Sequence, residues 1–312
     1  MIRMISSNDQ KAINEVLSRS QFQMNEVNMT VEEIISNVKE KGDDAVRAYT
    51  NTFDRVWLES FKVSDEAYQN AFKRLDPQLI KDLEAAKQNI ESFHLEQKPS
   101  SYTIQKQGVT LTQRVSPIER VGIYVPGGTA AYPSTVLMNA IPAKIAGCKS
   151  IVMITPPDAK GNIKDSLLVA AQIAGVDAIY KIGGAQGVAA LAYGTKTIPK
   201  VDLIVGPGNV YVAMAKKMVM GKVGIDMIAG PSEILIIADE TADPDYIASD
   251  LMSQAEHDTQ AAAICITTSK ALATNVKKAL ESQIKELSQK FGGKSDVVAI
   301  AIERLYQQEA SK

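Results

Sequence analysis

From Val121 onward, short aliphatic runs alternate with stretches of helical periodicity, and this alternation constrains the fold more than any other feature of the chain. Val121–Val125, Ile151–Thr155, Ala178–Ile182 and Val201–Val205 read as buried strands. Ala140–Ala146, Asp165–Ala174, Ala185–Tyr193 and Asn209–Met220 read as the helices that follow them. Strands apolar on both faces and joined by helices specify a parallel sheet, since only crossover helices can return the chain and cover both faces. After Pro231 the pattern resumes with a strand at Ile234–Ala238, a helix at Pro244–His257, a strand at Ala262–Thr267, a helix at Lys270–Lys290 and a strand at Val297–Ile302. A final helix, Ile302 to Lys312, follows a buried strand, and its apolar face lacks a next partner. The sheet is therefore expected to be cut short at this end.

The first hundred residues read as helical. Thr30 and Glu33 have the spacing of a capping box, followed by an apolar face at Val31, Ile34, Ile35 and Val38. Gly42 ends that helix, and Asp43 and Asp44 open another toward Tyr49. Pro77 starts a helix reaching His94, and Thr103–Val115 alternates polar and apolar residues around Gly108, as a β-hairpin does.

With 312 residues, 45% hydrophobic and 22% charged, the chain is of ordinary globular composition and long enough for two domains. A net charge of -2 with no sustained basic block gives no reason to expect a nucleic-acid partner. Met1–Gln10 has no signal-peptide core, and no apolar run approaches the ~20 residues that span a bilayer. The expectation is a cytoplasmic protein without a membrane partner. Cys148 and Cys265 sit in or beside apolar runs with no neighbouring base, and read as packing residues. His94 reads as a surface residue.

Three strand-to-helix turns could receive a ligand: Tyr124-Val125-Pro126-Gly127-Gly128-Thr129, Gly183-Gly184-Ala185-Gln186-Gly187 and Gly206-Pro207-Gly208-Asn209. Ligands bind beyond the carboxyl ends of strands in open α/β sheets, and helix N-termini there favour anions. Each turn alone reads rather as a tight βα connection. None is a true G-x-G-x-x-G, and no ribose-binding acid stands at the usual distance. Three in one domain point to a cofactor cleft. In Ala229-Gly230-Pro231-Ser232-Glu233, Ser232 could bond a substrate or only its own backbone. Gln254 and His257 share a helix face with Asp250, which fits either a capped helix end or two metal ligands.

These motifs together resemble the histidinol dehydrogenase family. The resemblance is carried by Arg120-Val121-Gly122-Ile123-Tyr124-Val125-Pro126-Gly127-Gly128, Gly183-Gly184-Ala185-Gln186, Gly206-Pro207-Gly208-Asn209, Ala229-Gly230-Pro231-Ser232-Glu233 and Ser253-Gln254-Ala255-Glu256-His257, with Gly42-Asp43-Asp44-Ala45-Val46 upstream. It implies oxidation of L-histidinol through the aldehyde to L-histidine with two NAD. It further implies that Tyr124, Gln186 and Asn209 contact NAD, that Ser232, Gln254 and His257 contact substrate, and that Gln254 and His257 are zinc ligands. One zinc ion per subunit and a homodimer are expected on the same ground. The family's adjacent Glu-His catalytic pair and its other two zinc ligands are expected beyond Lys312, leaving the zinc site incomplete and activity impaired.

The fold implied is α/β, with incomplete Rossmann-like, doubly wound domains of the aldehyde-dehydrogenase type, one inserted in the other, and N-terminal helices. Residues 1–29 would form an N-terminal helical segment, 30–120 and 232–312 a discontinuous α/β domain, and 121–231 an inserted NAD-contacting domain. Two other readings stay open: a zinc- and NAD-dependent dehydrogenase of another amino or sulfonated alcohol, and a non-catalytic NAD-binding fragment. A thiol-dependent aldehyde dehydrogenase is a weaker third.

Overall fold

The computed structural model describes residues 2–18, 21–127, 131–228, 233–255, 262–291 and 299–303. Its residues cluster into two compact units, 1–26 with 231–312, and 27–230.

The larger unit is built on a five-stranded parallel sheet. In chain order its strands are β4 (Arg120–Tyr124), β5 (Ser150–Ile154), β6 (Ala178–Tyr180), β7 (Leu203–Val205) and β8 (Gly224–Ile225). In space they run β6-β5-β4-β7-β8, so the first strand lies at the centre and the winding reverses beside it. Helices α6 (Pro133–Ala146), α7 (Asp165–Ala174), α8 (Gly184–Tyr193) and α9 (Val210–Val219) connect the strands. Alternation along each strand divides them between two faces. Val121, Ile123, Ile151 and Met153 pack with Leu137 and Ile141 of α6 and Leu167 and Leu168 of α7. Tyr124, Val152 and Ile154 pack on the other side with Val188 and Leu191 of α8 and Val212 and Ala215 of α9. Burial on both faces is why these strands read as unbroken apolar runs.

The helices before the sheet add an outer layer to each face. Val31, Ile34 and Val38 of α2 (Gln21–Lys41) and Val46 of α3 (Asp43–Asp54) join the α8/α9 side. Ala71 of α4 (Asp65–Arg74) and Leu83 of α5 (Pro77–Glu96) join the α6/α7 side. Between α5 and β4, β2 (Tyr102–Lys106) and β3 (Val109–Gln113) form the expected antiparallel hairpin, pairing Ile104 with Leu111. Segment 30–120, assigned from the family resemblance to the same domain as 232–312, thus clusters with 121–230.

The smaller unit holds a four-stranded parallel sheet, ordered β1-β11-β10-β9. Its strands are β1 (Arg3–Ser6), β9 (Ile234–Ala238), β10 (Ala263–Thr267) and β11 (Ala299–Glu303), and its helices α1 (Gln10–Ser18), α10 (Pro244–Ala255) and α11 (Lys270–Phe291). Ala248 and Leu251 of α10 and Val276 and Leu280 of α11 bury Ala263 and Cys265 of β10.

Two sequence expectations are corrected. Residues 1–29 are not wholly helical, because Arg3–Ser6 is a strand paired with β11. Thr30 is no N-cap, because α2 begins at Gln21 and runs through it. The apolar stripe that follows Thr30 begins earlier, at Val27, and burial of that stripe outweighs a local capping preference. Gly42 does end the helix, with a left-handed φ of 54° and its N–H bonded to the Val38 carbonyl at 2.9 Å. The expected helix over 302–312 lies outside the described residues except at its start, where β11 continues to Glu303.

Ile123 is fully buried at the centre of the five-stranded sheet. Ile123→Ala is expected to lower the unfolding free energy by about 2–5 kcal/mol, read by urea titration. A loss under about 1 kcal/mol would contradict this account of the core.

Candidate functional site

The helix after β4 covers one face of the sheet and the helix after β7 covers the other, so their strand ends open a crevice between them. A cavity of about 480 Å³ lies there, and Tyr124, Gln186 and Asn209 all line it. Phe53 and Asp54 of α3, Tyr211 of α9 and Pro126 and Pro156 after β4 and β5 also line it.

Tyr124 is the last residue of β4 and is buried at 4% exposure. Its hydroxyl accepts the N–H of Gly184 at 3.2 Å, which ties the β4 end to the first turn of α8. Burial, opposed by that hydrogen bond and reinforced by the Asp54 charge, pushes the phenol up to about 12. The hydroxyl therefore keeps its proton at neutral pH and can donate it to a ligand. Gly184 has a left-handed φ of 59°, and an added Cβ would lie 2.5 Å from Gln186 Oε1. A side chain there would displace the Gln186 amide. That amide is itself unusual: Gln186 is 1% exposed and its Oε1 has no hydrogen-bond partner among the described residues. An orphaned buried acceptor in a cavity wall costs stability unless a ligand supplies the donor. Helix α8 has no side-chain cap, and with the Gly184 N–H taken by Tyr124 it is the N–H groups of Ala185 and Gln186 that are open to an anion.

The turn after β7 is held by an ion pair between a buried lysine and a partly exposed aspartate. Lys216 of α9, 2% exposed, donates to the Gly206 carbonyl at 2.8 Å and is paired with Asp226. Asp226 in turn accepts the Gly206 N–H at 2.8 Å. Both backbone groups of Gly206 are thereby clamped. Its φ of 107° and its closeness to β4 exclude any side chain, since a Cβ would stand 2.1 Å from the Tyr124 carbonyl oxygen. Three residues on, Asn209 caps α9, its Oδ1 accepting the N–H groups of Tyr211 and Val212 at 3.1 Å each. The structural and functional readings of Asn209 are compatible, because capping uses the oxygen and leaves the amide N–H groups for the cavity.

Asp54 is the group that sequence reasoning missed. It is the last residue of α3, at the negative end of the helix dipole, where a second negative charge is unfavourable. Its Oδ2 is buried without a partner, and burial pushes its carboxyl up to about 6. An acid against a helix C-terminus was the available signal, but local sequence could not say which cavity it would reach.

The remaining candidates are less informative. Ser232 and His257 lie outside the described residues, and Gln254 is placed only as a residue of α10, one turn after Asp250. Among the described residues no group of three or more His, Cys, Asp or Glu could hold a metal ion, and no helix is long and apolar enough to cross a membrane. Burial pushes both the Cys148 and Cys265 thiols up, away from nucleophilic character. His94 is half-buried near the end of α5, its Nδ1 2.7 Å from Gln97 Oε1. A larger concavity of about 650 Å³ lies elsewhere, walled by α4 and α7 residues. Arg74 in its wall is already paired with Asp165 at 2.6 Å, and no orphaned buried atom faces it.

A model of the histidinol dehydrogenase family matches residues 17–305. The chain is 54% identical over 292 residues to the histidinol dehydrogenase of Streptococcus mutans, covering 92% of this chain and 67% of that protein. It is 58% identical over 261 residues to that of Listeria innocua, covering 83% of this chain and 61% of that one. The chain thus spans roughly 61–67% of the length of these curated relatives. The crystal structure of histidinol dehydrogenase from Elizabethkingia anophelis superposes with a TM-score of 0.80 at 36% identity, over 97% of this chain and 70% of that one.

Two outcomes test this geometry. Lys216→Met removes the cation from the partly exposed Asp226 and the donor from the Gly206 carbonyl, and is expected to cost about 1–2 kcal/mol. The double variant Lys216→Met/Asp226→Asn should recover part of that loss in the same denaturant titration, and equal losses in both would show that the pair is not the cause. For Asp54, the folded carboxyl is raised to about 6 from an ordinary value of 3.8. The folded state therefore holds the proton more tightly, and stability is lost as pH rises through that range. Asp54→Asn should raise Tm above about pH 7, with the advantage vanishing below about pH 4. A pH-independent shift would refute the burial account.

Proposed function

The chain belongs to the histidinol dehydrogenase family, and on that premise we propose that its five-stranded unit binds NAD at the β4–β7 crevice in the service of L-histidinol oxidation. The reaction would proceed through L-histidinal to L-histidine, each of its two steps passing a hydride to one NAD+ and releasing a proton, with water consumed in the second. One observation carries the reading. Tyr124, Gln186 and Asn209, distant in sequence, line one cavity at the point where the sheet order reverses, and the buried Gln186 oxygen lacks a partner.

The fit to a dinucleotide is chemical. Gln186 and Asn209 offer amide groups, and Tyr124 a neutral hydroxyl able to donate. The uncapped start of α8 supplies backbone donors for a pyrophosphate. Gly184 keeps the cavity wall free of a side chain that would displace the Gln186 amide, and Gly206 lets its turn approach the β4 backbone. The protein's task is to position the cofactor and keep its pocket dry, while NAD supplies the hydride acceptor.

We further propose that Ser232, Gln254 and His257 contact the substrate and that Gln254 and His257 contribute to a zinc site. Zinc would there orient the imidazole and amino nitrogens of the substrate. Two such ligands alone would hold zinc only weakly. A cytoplasmic homodimer completes the proposal, on the ground of family membership alone.

Calorimetric titration of the chain with NAD+ tests the reading. Saturable binding is expected, and Gln186→Leu should weaken it by roughly ten-fold. Absence of binding in the wild-type chain, or an unchanged Kd in the variant, would overturn it.

A further inference from the structure

Asp54 is the only charged residue lining the cavity of Tyr124, Gln186 and Asn209, and no Lys or Arg lines it among the described residues. The carboxylate stands where several effects disfavour it. It lies at a helix C-terminus, its Oδ2 is buried, and among the described residues no donor meets that oxygen. A second buried acceptor in the same walls, Gln186 Oε1, is equally without a partner. Two orphaned acceptors in one cavity call for a ligand that presents hydrogen-bond donors.

The rest of the wall narrows the ligand. Phe53 is 53% exposed and Tyr211 is 41% exposed, although both are large and aromatic and both line the cavity. Pro126 and Pro156 add flat apolar surface. Aromatic rings left in water at a cavity rim suit a planar base laid against them. The ligand fragment is therefore a flat heterocycle carrying hydroxyl donors, which is the chemistry of a nucleoside. In other dinucleotide sites an acid accepts from the ribose hydroxyls, and it comes from the end of a sheet strand. No such acid stands at the usual position in this sequence. Here α3 brings a carboxylate to the cavity from outside the sheet.

We propose that Asp54 accepts hydrogen bonds from the adenosine ribose hydroxyls of the bound dinucleotide and, by its charge, excludes cofactors carrying a 2′-phosphate. The inference rests on the reading of this cavity as a dinucleotide site, and it names the residue that selects NAD over NADP. A 2′-phosphate would meet a carboxylate with no cation to neutralise it. Selection by an unfavourable contact with the wrong ligand is an efficient way to build specificity.

The test is calorimetric titration of the chain with NAD+, NADP+ and 2′-deoxy-NAD+, in which the adenosine 2′-hydroxyl is absent. Wild type is expected to bind NADP+ roughly 100-fold more weakly than NAD+, and 2′-deoxy-NAD+ roughly ten-fold more weakly. In Asp54→Asn the NAD+ to NADP+ gap should shrink to within about ten-fold, and the penalty for the missing hydroxyl should largely disappear. Comparing the three ligands on wild type needs no variant to fold. Equal binding of NAD+ and NADP+, or of NAD+ and its 2′-deoxy form, by wild type would overturn the role of Asp54. So would a folded Asp54→Asn protein that keeps both differences. Wild type that binds none of the three would overturn the dinucleotide reading itself, a separate result from binding without discrimination.

Discussion

The central strand β4 carries two demands at once. It is hydrogen-bonded along both edges, to β5 and β7, and buried on both faces. A strand so placed has no freedom of register, because a slip of one residue would turn Val121 and Ile123 out of one core and Tyr124 out of the other. The carboxyl end of β4 is thereby fixed in space, and with it the Tyr124 hydroxyl and carbonyl. Everything that makes the crevice chemically useful is referenced to those two groups. Gly184 donates to the hydroxyl, and Gly206 packs against the carbonyl at a distance only glycine allows.

The second element of the site is a trade between stability and readiness. Lys216 and Asp226 form a half-buried ion pair that holds one turn still, and a pair of this kind seldom gives much net stability. Its return is geometric: both polar groups of Gly206 are satisfied, and Asn209 starts α9 in a set position. Asp54 and Gln186 lie on the other side of the trade, each with a buried oxygen left unpartnered. A fold selected for stability alone would satisfy or remove such atoms. Their place around one cavity, with exposed aromatic rings at its rim, is what the proposed binding of a dinucleotide there would explain.

Much of this was legible in the sequence, for reasons that can be named. Two-sided burial makes β4 and β5 near-continuous aliphatic runs, so the parallel sheet was readable from Val121 onward. Gly108 between alternating residues marked the hairpin. Tyr124, Gln186 and Asn209 were reached through glycine-rich turns and the family motif, and the fold brings all three to one cavity. What stayed hidden depends on distant partners. β1 is four residues long, with an exposed majority, and exists because β11, nearly 300 residues away, offers an edge. Thr30 looked like a helix start because the apolar stripe that runs through it was read only from Val31. Asp54 has no local motif at all, since its meaning comes from the cavity that α3 borders.

The β4–β7 crevice, formed within residues 27–230, is the proposed place where a dinucleotide binds. Amide hydrogen exchange of the 312-residue chain, followed by mass spectrometry with and without saturating NAD+, tests that claim most directly. The account requires slowed exchange in peptides covering 183–187, 206–212 and the end of α3, with the distant hairpin at 102–113 unchanged. Protection spread evenly over the chain, or centred on the α4–α7 concavity instead, would contradict it.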